Sequence, residues 1–257
     1  MTCAYHRCFP RVNKNATRIL FFEAWTICGK SAMHRAMTDP TLAIDVEGDL
    51  AKIGVVPALQ ARSRTLRDAL IREGLAIARR TSFDAVSIHD ICAAAGCSTG
   101  AFYSRFPDKA TLFKAVMVFA AAESGPMLES IVATAPFGDI MPRLMRAQVD
   151  RYVEQATFFR SAFRVSLEAS EAWEPFRRNA HNLASAYIVR LRGEANVDPS
   201  SIDVDRVRFA FQIMYALLNN TLINSPGPFF LESPQFPALM ENAVLGAMGV
   251  TQIVAQG

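Results

Sequence analysis

Cysteine is scarce and odd in number: Cys3, Cys8, Cys28, Cys92 and Cys97 in 257 residues. That density builds no disulfide scaffold and fits a reducing compartment, so a cytoplasmic protein is expected. Long apolar runs are also missing. The best candidate, ILFFEAWTIC at 19–28, is interrupted by Glu23 and is too short for a membrane span or a good signal-peptide core, so no membrane partner is expected. Alternating strand patterns are absent. So are HExxH, a P-loop, a Gly-rich dinucleotide loop and G-x-S-x-G, and four scattered histidines form no recognisable triad. The expectation is a protein that is not an enzyme and has no cofactor. Cys3, His6 and Cys8 have the chemistry of metal ligands but no fourth ligand at a suitable spacing, and no metal is expected there.

What the chain does have is apolar mass, 51% of its residues, enough for a core. Net charge is only +3, but it is unevenly placed. Residues 61–114 carry nine basic side chains against five acidic ones, whereas residues 115–257 carry eleven arginines against fourteen acids. A basic segment ahead of a mildly acidic one points to a polyanionic partner for the first part only.

The first 60 residues read as a flexible extension. Within it, Met37-Thr38-Asp39-Pro40 resembles an ordinary start, which makes residues 1–36 an expected upstream addition. From Ser63 the pattern is helical. Leu66, Leu70, Gly74, Ile77 and Ala78 form a stripe, with Arg67, Arg72, Glu73, Arg79 and Arg80 largely off it. Further helices are predicted over 108–124, 127–134, 139–155, 157–170, 171–194, 202–224 and 235–248, divided by Gly- and Pro-bearing breaks such as Gly125-Pro126. The fold class expected is all-α: a smaller helical domain at the amino-terminal side over 61–114, whose partner the next stretch identifies, then a larger helical domain over 115–257.

The stretch HDICAAAGCSTGAFYSRFPDK, residues 89–109, carries the most information. Ser87 stands at a helix N-cap, with Asp90 at the third helical position and near the positive end of the helix dipole. Ile91, Ala94 and Ala95 give this short helix an inward face, and Gly96 ends it through a left-handed residue. Ser98 caps a second helix whose first turn, Thr99, Gly100 and Ala101, is small. Phe102 and Phe106 anchor that helix, Pro107 stops it, and Asp108 opens the next. Two short helices on a Gly turn make a helix-turn-helix. Small residues at the start of the second helix let its N-terminus seat in a major groove. Tyr103 and Lys109 offer a hydroxyl and an ammonium to phosphates.

From about Leu66 to Val118 the sequence resembles the DNA-binding domain of the TetR/AcrR transcriptional regulators, through S87-I-H-D-I-C-A-A-A-G-C-S-T-G-A-F-Y-S-R-F-P-D-K and L112-F-K-A-V. The resemblance covers about a fifth of the chain. It implies phosphate contacts at Ser87, Tyr103 and Lys109. It also implies a base-facing surface at Thr99, Gly100, Ala101 and Ser104, beside the cap Ser98 and Arg105. Departures from the family pattern fall at Ala78, Ser82, Cys97 and Thr99. The last removes a common lysine charge, so no operator sequence follows.

The resemblance further implies that residues 115–257 sense a small molecule and dimerise. Aromatic and polar residues interleave over 158–187, suiting an apolar pocket with a few hydrogen-bonding groups. Phe163, Trp173, Phe176, His181 and Tyr187 are the candidates there, although such residues at helical spacing are more often core. Val207, Phe211, Met214 and Leu218 on one helix, with Leu239, Ala243 and Gly246 on the next, are the expected four-helix dimer interface. The function expected is a homodimeric repressor on a palindromic double-stranded operator, released by a small apolar or aromatic effector. Three alternatives stay open: an activator of the same family, a helical enzyme with an unrecognised site, and an interaction or membrane-surface module built on the basic helix at 64–80.

Overall fold

Helix follows helix along the chain, because apolar positions recur at helical spacing and the connections are short and rich in turn residues. The computed structural model describes residues 45–249. The helices are α1 (Val46–Lys52), α2 (Ala61–Arg80), α3 (Ile88–Ala94), α4 (Thr99–Tyr103), α5 (Lys109–Thr134), α6 (Phe137–Glu154), α7 (Ala156–Glu168), α8 (Glu174–Arg192), α9 (Val204–Asn224) and α10 (Phe236–Met248). Short 3-10 turns stand at Phe83–Ala85, Ser170–Trp173 and Pro199–Ser201. No strand occurs among the described residues. The proposed start at Met37 and the Cys3, His6, Cys8 group lie outside them.

Helix α5 is the axis of the molecule. Leu112, Phe113, Val116, Met117, Leu128 and Val132 on it are all buried, and α2, α6 and α8 pack around it. It is long and apolar enough to cross a bilayer, but 56% of its most apolar window is buried inside the protein. Its continuity corrects one expectation: the chain does not break at Gly125-Pro126. The boundary between residues 114 and 115 falls inside this helix, as the predicted helix over 108–124 already implied. Proline withholds the N–H that would bond the Ala122 carbonyl, a cost of about 3 kcal/mol in a helix interior. Helix α8 packs along this stretch and bonds to its carbonyls on either side. Asn179 Nδ2 donates to the Ala121 carbonyl at 2.7 Å. Further on, Arg190 Nε donates to Val132 O and Nη2 to Ala135 O, both at 3.2 Å, closing the helix end.

A second correction lies before α2. Residues 45–56 are not a flexible leader: they form α1 and a return segment with Leu50, Ile53 and Val55 buried. Asp45 caps α1 by accepting from Gly48 N at 3.0 Å. The helix is held from two sides. Arg67 of α2, expected on an outer face, is 2% exposed and pairs with Glu47. Arg178 of α8 pairs with buried Asp49. Charges buried on the body are thus matched by carboxylates on α1, which meets the requirement that buried ions be paired.

Candidate nucleic-acid interface

The local rules that shape the helix-turn-helix are satisfied atom by atom. Ser87 Oγ accepts from Asp90 N at 3.1 Å, while Asp90 Oδ2 accepts from Ser87 N at 3.1 Å and from Ser87 Oγ at 2.6 Å, completing a capping box. These bonds hold the Asp90 carboxyl below its ordinary range. Gly96 turns the chain at φ +65°, a conformation a side chain resists. Ser98 Oγ accepts from Ala101 N at 3.2 Å, and Asp108 Oδ1 accepts from Thr111 N at 2.6 Å to start α5.

Behind this surface Phe102 and Phe106 are fully buried with their rings 5.5 Å apart, which fixes α4 on the core. Ile91 faces inward as expected, but Ala94 is exposed and Cys92 takes the second inner place. Ser98, Thr99, Gly100, Tyr103 and Ser104 face outward, and Ala101 is half-buried. Tyr103 is 56% exposed, its ring set edge-on against Phe102 at 5.3 Å. A Cβ added at Gly100 would meet only Ser98 Oγ, at 3.8 Å. Nothing inside the protein therefore requires glycine there; the smallness is turned to the outside.

Three candidate contacts also have internal roles. The Ser87 hydroxyl serves the capping box. Lys109 Nζ donates to Asp84 O at 3.0 Å and Val86 O at 2.6 Å, bracing the segment before α3 and leaving one proton uncommitted. Arg105 is turned back: Nε donates to Ser63 O at 3.3 Å and Nη1 to Ala101 O at 2.7 Å. Its carbonyl also accepts from Val56 N at 3.0 Å. The family resemblance implied a place for Arg105 beside the base-facing surface; its hydrogen bonds make it a tie between α4 and the start of α2.

Residues 70–116 match the family model described as bacterial regulatory proteins, tetR family. That stretch is therefore similar to the tetR-family module over the helix-turn-helix and the start of α5. The described chain as a whole also has the fold of solved TetR-family regulators. A protein from Mesorhizobium loti MAFF303099 described as a TetR-family transcriptional regulator is 21% identical, with a TM-score of 0.55, over 76% of this chain and 98% of that one. A tetR-family regulator from Streptomyces coelicolor is 21% identical with a TM-score of 0.54, over 74% and 85%. GusR of Salmonella enterica is 16% identical with a TM-score of 0.51, over 74% and 98%. Identities this low speak for the fold and nothing finer. No curated protein matches the chain.

In the helical part of this TetR-like fold, the expected ligand residues separate. Phe163, Trp173 and Phe176 gather, with ring centroids 4.7 and 4.6 Å apart in succession, and Phe176 continues to Phe159 at 6.2 Å. Tyr187 lies three turns along α8, packed between Phe137 and Phe211, and burial pushes its hydroxyl up to about 12. His181 is half-buried, its pKa lowered by burial and then by Arg208. A cleft of about 320 Å³ opens elsewhere, between α2, α5 and α6, with Arg79, Glu123, Met127 and Arg151 among its walls. None of the five aromatic and histidine candidates lines it. The signal for it was an arginine on the buried stripe of α6, visible only once the helix phase was known.

The expected dimer residues divide as well. Val207, Phe211, Met214 and Leu218 are 0–2% exposed within this one chain, so the main apolar stripe of α9 is spent on its own core. Leu239, Ala243 and Gly246 of α10 do face outward. The outward apolar residues of α9 are instead Phe209, Ala216 and Ile223.

Proposed function

We propose that this chain is a homodimeric transcriptional regulator, a repressor that holds a palindromic operator and releases it when a small molecule binds. One observation carries the reading. A capped five-residue helix is pinned by two buried phenylalanines, with its small and hydroxyl-bearing residues, Thr99, Gly100, Tyr103 and Ser104, turned to solvent. Such a surface fits a major groove, and the uncommitted proton of Lys109 and the Tyr103 hydroxyl suit the flanking phosphates. The outward residues Phe209, Ile223 and Leu239, 58%, 47% and 41% exposed, support pairing through α9 and α10. Two-fold symmetry then sets half-sites about 34–36 Å apart.

Selection of bound duplexes from a random pool tests this. The expected product is an inverted repeat. Enrichment of no sequence over the starting pool contradicts the reading. A reporter driven by the selected operator then assigns the sign, repression being the expected one.

A further inference from the structure

The cleft between α2, α5 and α6 holds a buried arginine that meets no carboxylate among the described residues. Arg151 is 8% exposed, and a guanidinium stays protonated at any working pH. Its polar neighbour is neutral: Gln148 Oε1 accepts from Nε at 3.2 Å and from Nη2 at 2.7 Å. Gln148 is itself fully buried and donates Nε2 to the Tyr215 hydroxyl at 3.0 Å. The Phe159 ring lies 5.0 Å from the guanidinium carbon. Among the described residues, no carboxylate pairs with Arg151. A second guanidinium enters from α2. Arg79 Nη2 meets Glu123 Oε2 at 2.7 Å, while its Nε is buried without a partner.

Burying a cation is costly unless an anion meets it, and a carboxylate on a guanidinium is the strongest ordinary answer. The remaining walls say what the anion is attached to. Ala120, Ala147 and Met127 are apolar, and the volume stands at the lower end of the roughly 300–1,000 Å³ of ligand pockets. Glu123, Asp150 and Glu154 also line the cleft and are exposed, so a second anionic group would face three carboxylates. That disfavours polyphosphates and dianions.

Resting on the proposed regulator, we infer that this cleft is its effector site and takes a small organic monocarboxylate, the carboxylate on Arg151 and the apolar body against Ala120, Ala147 and Met127. Arg79 supplies the link to DNA. It belongs to the first helix of the TetR-like module, and its bridge to Glu123 ties that helix to α5. An arriving carboxylate gives Arg79 a partner in competition with Glu123.

Benzoate is the probe, titrated calorimetrically into the full chain without DNA, with benzamide and benzylamine as neutral and cationic controls of the same shape. Benzoate is expected to bind at least tenfold more tightly than either. Arg151→Gln should weaken it at least tenfold with an unchanged helical spectrum, and Arg151→Lys, which keeps the charge if the first variant fails to fold, should fall between. Arg79→Gln, which removes the second cation, should weaken benzoate less than Arg151→Gln does and should lose the benzoate-induced release of the selected duplex. Equal binding of benzoate and benzamide, no benzoate binding, or full affinity in Arg151→Gln overturns the inference. Duplex binding without benzoate binding overturns it while leaving the regulator reading standing; benzoate binding without duplex binding keeps the carboxylate site but overturns the regulator reading and the effector role with it.

Discussion

Arg67 grips Glu47 with both tines of its guanidinium: Nη1 donates to one carboxylate oxygen at 2.8 Å and Nη2 to the other at 2.6 Å, while Nε donates to Asp68 at 2.9 Å. The pair joins α1 to the first helix of the TetR-like module. Glu47→Gln leaves a 2%-exposed guanidinium with one carboxylate instead of two. A charged hydrogen bond of this kind is worth about 1.5–3 kcal/mol, less here because Glu47 is mostly exposed. The expected loss is about 1–2 kcal/mol, or ~3–6 °C in thermal midpoint, read by calorimetry.

The same pair carries a pH dependence. Hydrogen bonding from Arg67 lowers the Glu47 pKa below 4.5. A carboxylate lowered on folding adds stability above its unfolded value and loses it as pH falls through the folded one. The contribution should be intact above pH 4.5 and vanish in more acid solution, and the acid limb of a wild-type stability curve should be steeper than that of Glu47→Gln.

At Gly125, α5 and α8 approach tightly. A Cβ there would stand 2.6 Å from Asn179 Oδ1 and 3.1 Å from Cγ, inside a buried contact. Gly125→Ala therefore displaces the amide that bonds the Ala121 carbonyl, despite the helix propensity of alanine. A loss of about 1–3 kcal/mol is expected in denaturant unfolding, and Gly125→Ala with Asn179→Ala should recover part of it.

Cys92 should be chemically quiet. Burial, with Cys97 beside it, raises its thiol from 9.0 to about 11. At pH 8 that leaves about a hundredfold less thiolate than an unshifted thiol has. Iodoacetamide followed by peptide mass spectrometry should label Cys92 only after unfolding; rapid labelling of the native protein contradicts its burial.

Arg105→Ala separates a tie inside the protein from the place beside the base-facing surface that the family resemblance implied. Because the guanidinium bonds Ser63 and Ala101, its loss should lower stability by about 1–3 kcal/mol and weaken all duplexes alike, without changing base preference at any single position.

The sequence made the Ser87–Asp90 capping box, the Gly96 turn and the Ser98 cap legible because each depends on atoms within a few residues. Other features depend on distant partners. Arg67 reads as an outer charge until α1 brings Glu47 to it. Pro126 reads as a break until Asn179 and Arg190 of α8 hold the chain on either side. The α9 stripe reads equally well as core or interface, since apolar periodicity gives a helix its phase but not its neighbour. Arg151 went unnoticed for the same reason: its burial follows from how α6 is rotated against α7 and α9.

Everything proposed for this protein depends on the α4 surface meeting DNA. Fluorescence anisotropy on the selected duplex and on random duplex, across a salt series, tests it most directly when run on wild type, Tyr103→Phe and Lys109→Ala of verified fold. Tyr103→Phe removes only an exposed hydroxyl. Selective binding is predicted, weakened by both substitutions on every sequence, with the salt slope shallower by about one for Lys109→Ala. Equal affinity of all three proteins for both duplexes, with one common salt slope, would contradict the account.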